Sequence, residues 1–351
     1  MILSSSTSIQ NFFFAPLPNG VIFALLVIGV FLSFRILDVA DLSVEGIIPL
    51  TTVVTAILIH QGINCFVALL ISAFIGLATG LLNSLLTVYL KIPALLSGII
   101  MMAANFGLSI VFMSLNGGVA TFAMSAHLTA FNWLGNGLKV AGLSSYYANY
   151  LSYIIVGGAI LALIAFALYF FFGTELGMSI RAAGKNKHMS RANGIQVKGM
   201  FMIGLSISGA LVGIAGSLYA QHNGFGYSTD GTGMIVVGLS SLFLGELIFG
   251  QKSFKRGLLA SIVGSFLYWY IIQVLMLIDT NGYLLNFYKA ILLVVVILLG
   301  HLVKHVTVKI NNKKNRMRMT QEGERETIQS PSEMLQENFS HFVLGAERKR
   351  S

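Results

Sequence analysis

Five polar side chains lie within or beside long apolar stretches of the sequence and could contact a polar solute. They are Asp41, Ser43, Glu45, Asn83 and Asn105. Burying such groups in apolar surroundings is costly, so each is a candidate for a functional role. Each also has a structural explanation. Asp41 or Ser43 could cap a helix that begins just after them, Glu45 would be stabilised by the positive end of that helix, and the asparagines could hydrogen-bond between helices.

Motifs for catalysis, metal binding and nucleotide binding are missing from the sequence. No stretch matches the phosphate-binding loop Gly-x-x-x-x-Gly-Lys-Ser/Thr. Cys65 is the only cysteine, so it cannot build a cysteine metal site. The histidines before the C-terminal basic region show no paired metal-binding spacing: His60, His127, His188 and His222. We therefore predict that this chain is not an enzyme and binds no metal or cofactor itself.

Composition places the chain in a membrane. Hydrophobic residues make up 56% of it and charged residues 10%, far from the averages of soluble proteins. The apolar runs lack the alternation of barrel strands, so we predict helices. The runs lie at 17–37, 46–60, 62–89, 93–114, 150–173, 200–220, 233–249, 254–278 and 283–303. The sequence thus predicts an all-α, polytopic transmembrane helical bundle of about nine spans, within a range of about eight to ten.

The basic residues between these runs predict the orientation of the chain. Segments 174–199 and 250–256 are rich in Lys and Arg, whereas 115–149 carries only Lys139. Because positively charged loops stay in the cytoplasm, nine spans place the N-terminus outside and the C-terminus inside the bacterial cytoplasmic membrane. The net charge of +9 is explained by this pattern, so we predict no nucleic-acid partner.

Three regions follow from this topology. Residues 1–16 are predicted to be an extracytoplasmic N-terminus, and 17–303 the transmembrane domain with its cytoplasmic loop at 174–199. Residues 304–351 form a basic, polar cytoplasmic tail, whose first part is expected to bind anionic membrane lipid.

Two of the predicted helices, 46–60 and 233–249, are short for a membrane span. Short or broken helices at corresponding places in two halves are typical of inverted transporter repeats. Two glycine-rich stretches, 223–227 and 230–233, are interpreted as an outer turn before the second short helix. Pairs of small residues at four-residue spacing indicate close helix packing, either inside the bundle or at a subunit interface: Gly76/Gly80, Gly204/Ser208 and Gly209/Gly213.

The loop at 174–195 contains start and stop signals for two short helices. Thr174 can cap the first helix, Gly184 can stop it, and Gly194 can stop a second helix that begins near Asn186. The small residues 182–184 would leave backbone exposed for another protein, and Arg181 and Arg191 could hydrogen-bond to that protein. The alternative is an ordinary basic connector.

This loop resembles the coupling segment of ABC importer permeases in the branched-chain amino acid and ribose permease superfamily. Their pattern is approximately T-x-x-G-x-x-x-R-A-x-G-x-N followed by G-I, whereas Met189-Ser190 replaces a common Ala-Ala pair. Residues 41–46 resemble the D-L-S-V-x-G helix entry of ribose-type permeases. Residues 233–246 resemble a branch that includes tryptophan and tyrosine uptake permeases.

The resemblance implies a permease subunit of an ATP-driven importer for a small solute such as an amino acid, sugar or nucleoside. Its implied partners are cytoplasmic ATPase subunits that bind ATP and Mg²⁺, an extracytoplasmic substrate-binding protein and a second permease copy, which we expect to form a homodimer. The residues expected to couple the chain to the ATPase are Thr174, Gly177, Arg181, Ala182, Gly184, Asn186, Arg191 and Gly194.

Two other functions are considered, an ion- or proton-coupled secondary transporter and a membrane scaffold. A proton-coupled carrier is expected to hold ionisable groups deep in its spans. Residues 46–90 and 92–138 contain no Asp, Glu, Lys or Arg. A scaffold needs neither two short helices nor a structured basic loop. We therefore favour the importer, with the secondary transporter as the alternative.

Overall fold

The structure is a computed structural model that describes residues 13–117, 121–123, 145–251, 253–278, 284–300 and 302–303, with single positions between 129 and 139. The residues up to Val296 form one compact unit, and the packing described here lies within it. Most of the predicted N-terminal region and the whole predicted tail lie outside the described residues, as does most of 115–149.

The described part of the chain is helical, as predicted. Six of its helices are long and apolar enough to cross a membrane, and three apolar helices are shorter. The elements are α1 (Pro16–Phe31, continued by a π-helical turn, Leu32–Ile36), α2 (Val44–His60), α3 (Cys65–Val88), α4 (Ala94–Leu115), β1 (Thr121–Ala123), α5 (Ser145–Phe171), α6 (Glu175–Lys185), α7 (Lys187–Ala192), α8 (Val197–Asn223), β2 (Phe225–Tyr227), α9 (Met234–Phe249), α10 (Phe254–Ile278) and α11 (Leu285–Gly300). The nine apolar helices are α1 to α5 and α8 to α11, and each matches a predicted run.

Helix α1 lies at the centre of the bundle. It begins with prolines in its first turn, where a missing N–H costs nothing, and it is apolar on every side. Residues 20–33 are all buried, because α5, α8, α9 and α10 surround them. A helix without a polar face is expected at such a position.

Close backbone contact joins α3 to α8. A Cβ atom built on Gly76 would overlap the carbonyl oxygen of Gly209, and one on Gly80 would overlap that of Leu205. These contacts require glycine, because a Cβ atom would overlap the neighbouring backbone. Close packing of this kind stabilises helix pairs in lipid, where there is no hydrophobic drive for helix association. Of the two explanations open for the small-residue pairs, the structure supports tight packing inside one bundle.

The two halves of the chain are arranged reciprocally. In both α1–α4 and α8–α11 a long helix precedes a short one. The first helix of each half packs against the third helix of the other, α1 on α10 and α8 on α3. This supports two related halves with inverted topology.

One end of the bundle carries the loop at 174–196 and is called the loop end below. Helices α1 and α9 end there and α10 begins there. The end of α3 is also there, because Lys198 at the start of α8 lies over the Tyr89 ring. The predicted alternation of the spans is consistent with these contacts.

The glycine-rich stretch after α8 is more ordered than the predicted turn. Its residues Phe225–Tyr227 form β2, which pairs antiparallel with β1 so that Phe122 lies opposite Gly226. Asp230 then accepts a hydrogen bond from the Tyr227 N–H at 3.1 Å. Burial raises the pKa of Asp230 to about 6, although hydrogen bonds from Tyr227 and Thr52 oppose the rise. The small ribbon escaped prediction because each strand is only 3 residues long and its partner is remote in sequence.

Candidate functional site

The segment between α1 and α2 brings Asp41 against Asn83 inside the bundle. Asp41 Oδ1 accepts hydrogen bonds from the Ser43 backbone N–H at 2.9 Å and from Asn83 Nδ2 at 2.8 Å. The Ser97 hydroxyl donates in turn to the side-chain oxygen of Asn83. None of these side chains is more than 3% exposed. Three of the predicted site residues, Asp41, Ser43 and Asn83, therefore belong to one buried polar network.

Part of this network has unused hydrogen-bonding capacity. Asn105 Nδ2 is buried and has no hydrogen-bond partner among the described residues, whereas the Ser43 hydroxyl is close enough to interact with the otherwise unpaired Oδ2 side of the Asp41 carboxylate. Asn105 lies nearby, packed against Gly46 at the start of α2. Each buried, unpaired polar atom costs about 1–3 kcal/mol. Such atoms are expected where water or a solute completes the bonding.

The structure partly supports the alternative that Asp41 or Ser43 caps the helix that follows them. Ser43 occupies the cap position of α2, but its side chain makes no capping hydrogen bond. Asp41 instead accepts from the Ser43 N–H and so stabilises the entry to the helix. Asp41 thus has a structural role, because its carboxylate holds both the Ser43 N–H and the Asn83 amide.

Glu45, in the first turn of α2, lies apart from this network and contacts the beginning of α9. Its carboxylate accepts hydrogen bonds from the backbone N–H groups of Gly233 and Ile235 and faces the charge of Lys289. A Cβ on Gly231 would overlap the Glu45 carbonyl oxygen. The short helices α2 and α9 therefore begin beside each other.

This contact corrects the sequence interpretation of residues 230–233. They were expected in an outer turn before the second short helix. The chain instead returns into the bundle after β2 and starts α9 in its interior, where Glu45 meets the positive end of the helix. Lys289 was missed as a partner because nothing in the local sequence links it to Glu45.

The predicted pair of helices in the loop is present as α6 and α7. The Thr174 hydroxyl accepts from the Gly177 N–H at 3.4 Å and caps α6. Asn186 ends α6 and caps α7, accepting from the N–H groups of His188 and Met189 at 3.1 and 3.0 Å. Gly194 follows α7 with a φ of +78°, as its predicted role as a stop requires.

The small residues of the loop have a different packing role from the predicted one. Gly184 lies inside α6, which ends one residue later, so the prediction that Gly184 stops the helix is wrong. A Cβ on Gly184 would overlap the Ile36 carbonyl oxygen at the end of α1, and Ala183 is fully buried. The backbone at 182–184 thus packs against the chain's own first helix.

Arg181 is also engaged within the chain. Its Nη2 donates to the Phe172 carbonyl oxygen at 2.9 Å, and its guanidinium lies over the Phe254 ring. The residues of the loop that remain exposed lie on both α6 and α7. They include the basic Arg191 and three apolar side chains, Leu176, Met178 and Met189.

A comparison with known protein families identifies this arrangement. The model of the family described as "Branched-chain amino acid transport system / permease component" matches residues 14–300. The chain belongs to this permease family. The match includes every predicted span except the final residues of the last one. It also includes the polar residues between 41 and 105 and the loop at 174–196.

Similar proteins agree with this membership. A tyrosine transport system permease protein of Clostridioides difficile (strain R20291) is 28% identical over 296 residues, 84% of this permease and 93% of that protein. A ribose import permease of Escherichia coli (strain K12) is 26% identical over 263 residues, 75% of this permease and 76% of that protein. An autoinducer 2 import permease of Shigella flexneri is 23% identical over 259 residues, 73% and 70% of the two chains. No solved structure matches the chain significantly.

In this permease an ion pair fixes the loop end of α1 to α9. Arg35 binds Glu246 through two hydrogen bonds, of 2.7 and 2.5 Å, and Gln251 donates to the same carboxylate at 2.8 Å. The Glu246 side chain is only 7% exposed. Arg35 lies 211 positions from Glu246 in the chain.

Proposed function

We propose that this permease is the membrane-spanning subunit of an ATP-driven importer for a small solute, energised by a separate ATPase. The observation that carries the proposal is the two-helix loop, which packs rigidly on the helices at one side and is exposed at the other. A firmly packed loop can transmit movement to the helices when a partner pushes on it. The residues proposed for coupling are those that build the loop and its exposed side, as given above.

The relatives favour amino acids as the solute class. The tyrosine permease covers more of this chain than the ribose and autoinducer 2 permeases do. We propose that the complete importer contains two copies of this chain, two cytoplasmic ATPase subunits that bind ATP and Mg²⁺, and an extracytoplasmic substrate-binding protein. The loop end would then face the cytoplasm.

Substitution of Met189 tests the coupling proposal. Met189 is 64% exposed on α7, so Met189→Glu should leave the fold intact while placing a charge in an apolar contact with the ATPase. We expect ATPase affinity to fall at least about tenfold, with uptake lost in parallel. Co-purification of the tagged permease with its ATPase and ATP-dependent uptake in proteoliposomes measure both.

Leu90 supplies a matched control at the same end of the bundle. It is 66% exposed and lies after α3, outside the loop. Leu90→Glu should keep ATPase binding and uptake near the wild-type level. Wild-type behaviour of Met189→Glu would refute ATPase docking on α7. Uptake by the permease alone, driven by a proton or ion gradient, would support the alternative, a secondary transporter.

We propose that the solute passes the network of Asp41, Ser43 and Asn83, with Asn105 beside it and Glu45 at the meeting point of the short helices. The buried Asp41–Ser43 pair and the unpartnered Asn105 Nδ2 support this proposal, because a polar solute could bond to them. In the complete importer, a cysteine at position 43 should react with a small aqueous thiol reagent in at least one nucleotide state.

The control for this labelling experiment is position 33. Ser33 is also buried, but its hydroxyl is bonded within α1 to the carbonyl oxygens of Gly29 and Val30. Cysteine at 33 should therefore stay unreactive, in a background where the native Cys65 is replaced by serine. If Ser43→Cys is as unreactive as Ser33→Cys in every nucleotide state, Ser43 does not line the path.

A further inference from the structure

A cavity of about 640 Å³ lies at the loop end, between α6, the end of α1 and the α9–α10 connection. Its volume is within the range of small-molecule sites, about 300–1,000 Å³. The cavity is separate from the proposed solute path, and it shares Met178, Arg181, Ala182 and Gly184 with the loop proposed for coupling. Its walls have two chemically different parts, which together indicate the ligand.

The first part is cationic. Arg35, Arg181 and Lys185 line the cavity together with the carboxylates of Asp38 and Glu246. Arg35 and Glu246 neutralise each other through their bidentate pair. No carboxylate of the described residues lies within ion-pair distance of Arg181 or Lys185. Two cations thus face a single remaining carboxylate, which favours an anion.

Arg181 has a donor to spare for that anion. Its Nη2 is bonded to the Phe172 carbonyl oxygen, but its Nε is buried and has no hydrogen-bond partner among the described residues. An N–H of a charged guanidinium that is buried without a partner is costly, and phosphate oxygens are its preferred acceptors. Lys185 is exposed at the same wall and can add a second contact.

The second part is apolar and belongs to the ends of two spanning helices. Phe31 and Phe34 at the end of α1 and Phe254 at the start of α10 form it. An apolar wall at the ends of two spans, beside a cationic wall, matches a molecule with a phosphate head and a hydrocarbon body. Basic pockets at the ends of transmembrane helices bind anionic lipid head groups in this way.

We propose that this cavity binds an anionic phospholipid, with its phosphate on Arg181 and Lys185 and the upper part of its acyl chains against the phenylalanine rings. The lipid would then bridge α6 to α1 and α10.

Native mass spectrometry of the purified, delipidated full-length permease tests this site. Added dioleoyl phosphatidylglycerol should be retained in preference to dioleoyl phosphatidylcholine. Lys185→Ala and Arg181→Ala should each weaken phosphatidylglycerol retention about fivefold, the effect of about 1 kcal/mol per basic residue. Arg191→Ala removes an exposed cation from α7, outside the cavity, and should leave retention unchanged.

Four outcomes would overturn the proposal. Equal retention of the two lipids would show that head-group charge is not recognised. Unchanged binding in Lys185→Ala and Arg181→Ala would place the lipid elsewhere. Displacement of the lipid by equimolar inorganic phosphate would identify a free-anion site, and displacement by the ATPase subunit would identify a protein contact. Because Lys185 is exposed, its variant should fold and keep the test decisive even if Arg181→Ala does not.

Discussion

The Gly184→Trp permease should fail to accumulate as folded protein in the membrane. Even the Cβ atom of an alanine at this position would overlap the Ile36 carbonyl oxygen, and a backbone atom cannot move aside as a flexible side chain can. We expect Gly184→Ala to cost about 3 kcal/mol, at the upper end of overpacking effects, and the indole to exceed what the packing can absorb. Thermal unfolding of the purified protein and its abundance in membranes measure the two effects.

Gly199 provides the matched control for this substitution. It lies in the first turn of α8, also at the loop end, and a Cβ there would meet no atom within 4 Å. Gly199→Ala should therefore be neutral or stabilise the helix by up to about 1 kcal/mol. If Gly184→Ala proves as harmless as Gly199→Ala, α6 does not pack on α1 as described. A stable Gly184→Trp protein that lost only ATPase binding would indicate that residues 182–184 face the partner after all.

Gly76→Leu should separate α3 from α8 and unfold the core of the permease. The side chain would have to occupy the place of the Gly209 carbonyl oxygen, and the helix axes can part only if Gly80 and Gly213 lose their contacts as well. Overpacking alone costs about 1–3 kcal/mol or more, and the lost helix contacts add to it. Proteolysis in membranes and unfolding in detergent should both show the loss.

Gly107 is the control on a neighbouring helix. It lies within α4, is exposed, and has no atom within 4 Å of a built Cβ. Gly107→Leu adds the same side chain at a surface where lipid or another subunit can accommodate it, so stability should change little. Equal tolerance of both leucines would contradict the close α3–α8 contact.

The sequence predicts the spans because hydropathy depends on consecutive residues. All nine apolar runs became helices. The cap at Thr174 and the helix start near Asn186 were predicted because a capping residue and its N–H groups lie within one turn. The glycine pair Gly76/Gly80 was found for the same reason, since both residues are on one helix face.

Contacts between remote residues were beyond sequence reasoning. The Arg35–Glu246 pair joins positions that are 211 residues apart, and Glu45 meets the start of α9 only after the chain turns back into the bundle. In the candidate site, residues 41 and 83 were named separately, but their hydrogen bond could not be foreseen. Gly184 was interpreted as a helix stop because the sequence around it does not reveal its packing against Ile36, which is remote in the chain.

The burial of α1 has a consequence for how the chain is made. Its surrounding helices α5, α8, α9 and α10 all follow it in the chain, so α1 is synthesised before the helices that bury it. It is suited to that stage, because the hydroxyl of its buried Ser33 bonds to carbonyl oxygens of α1 itself at 3.4 and 3.2 Å. Ser208 and Ser265 later donate to the α1 carbonyl oxygens of Gly29 and Gly20, at 2.8 and 2.9 Å. We therefore expect α1 to be stable in lipid before the later helices pack around it.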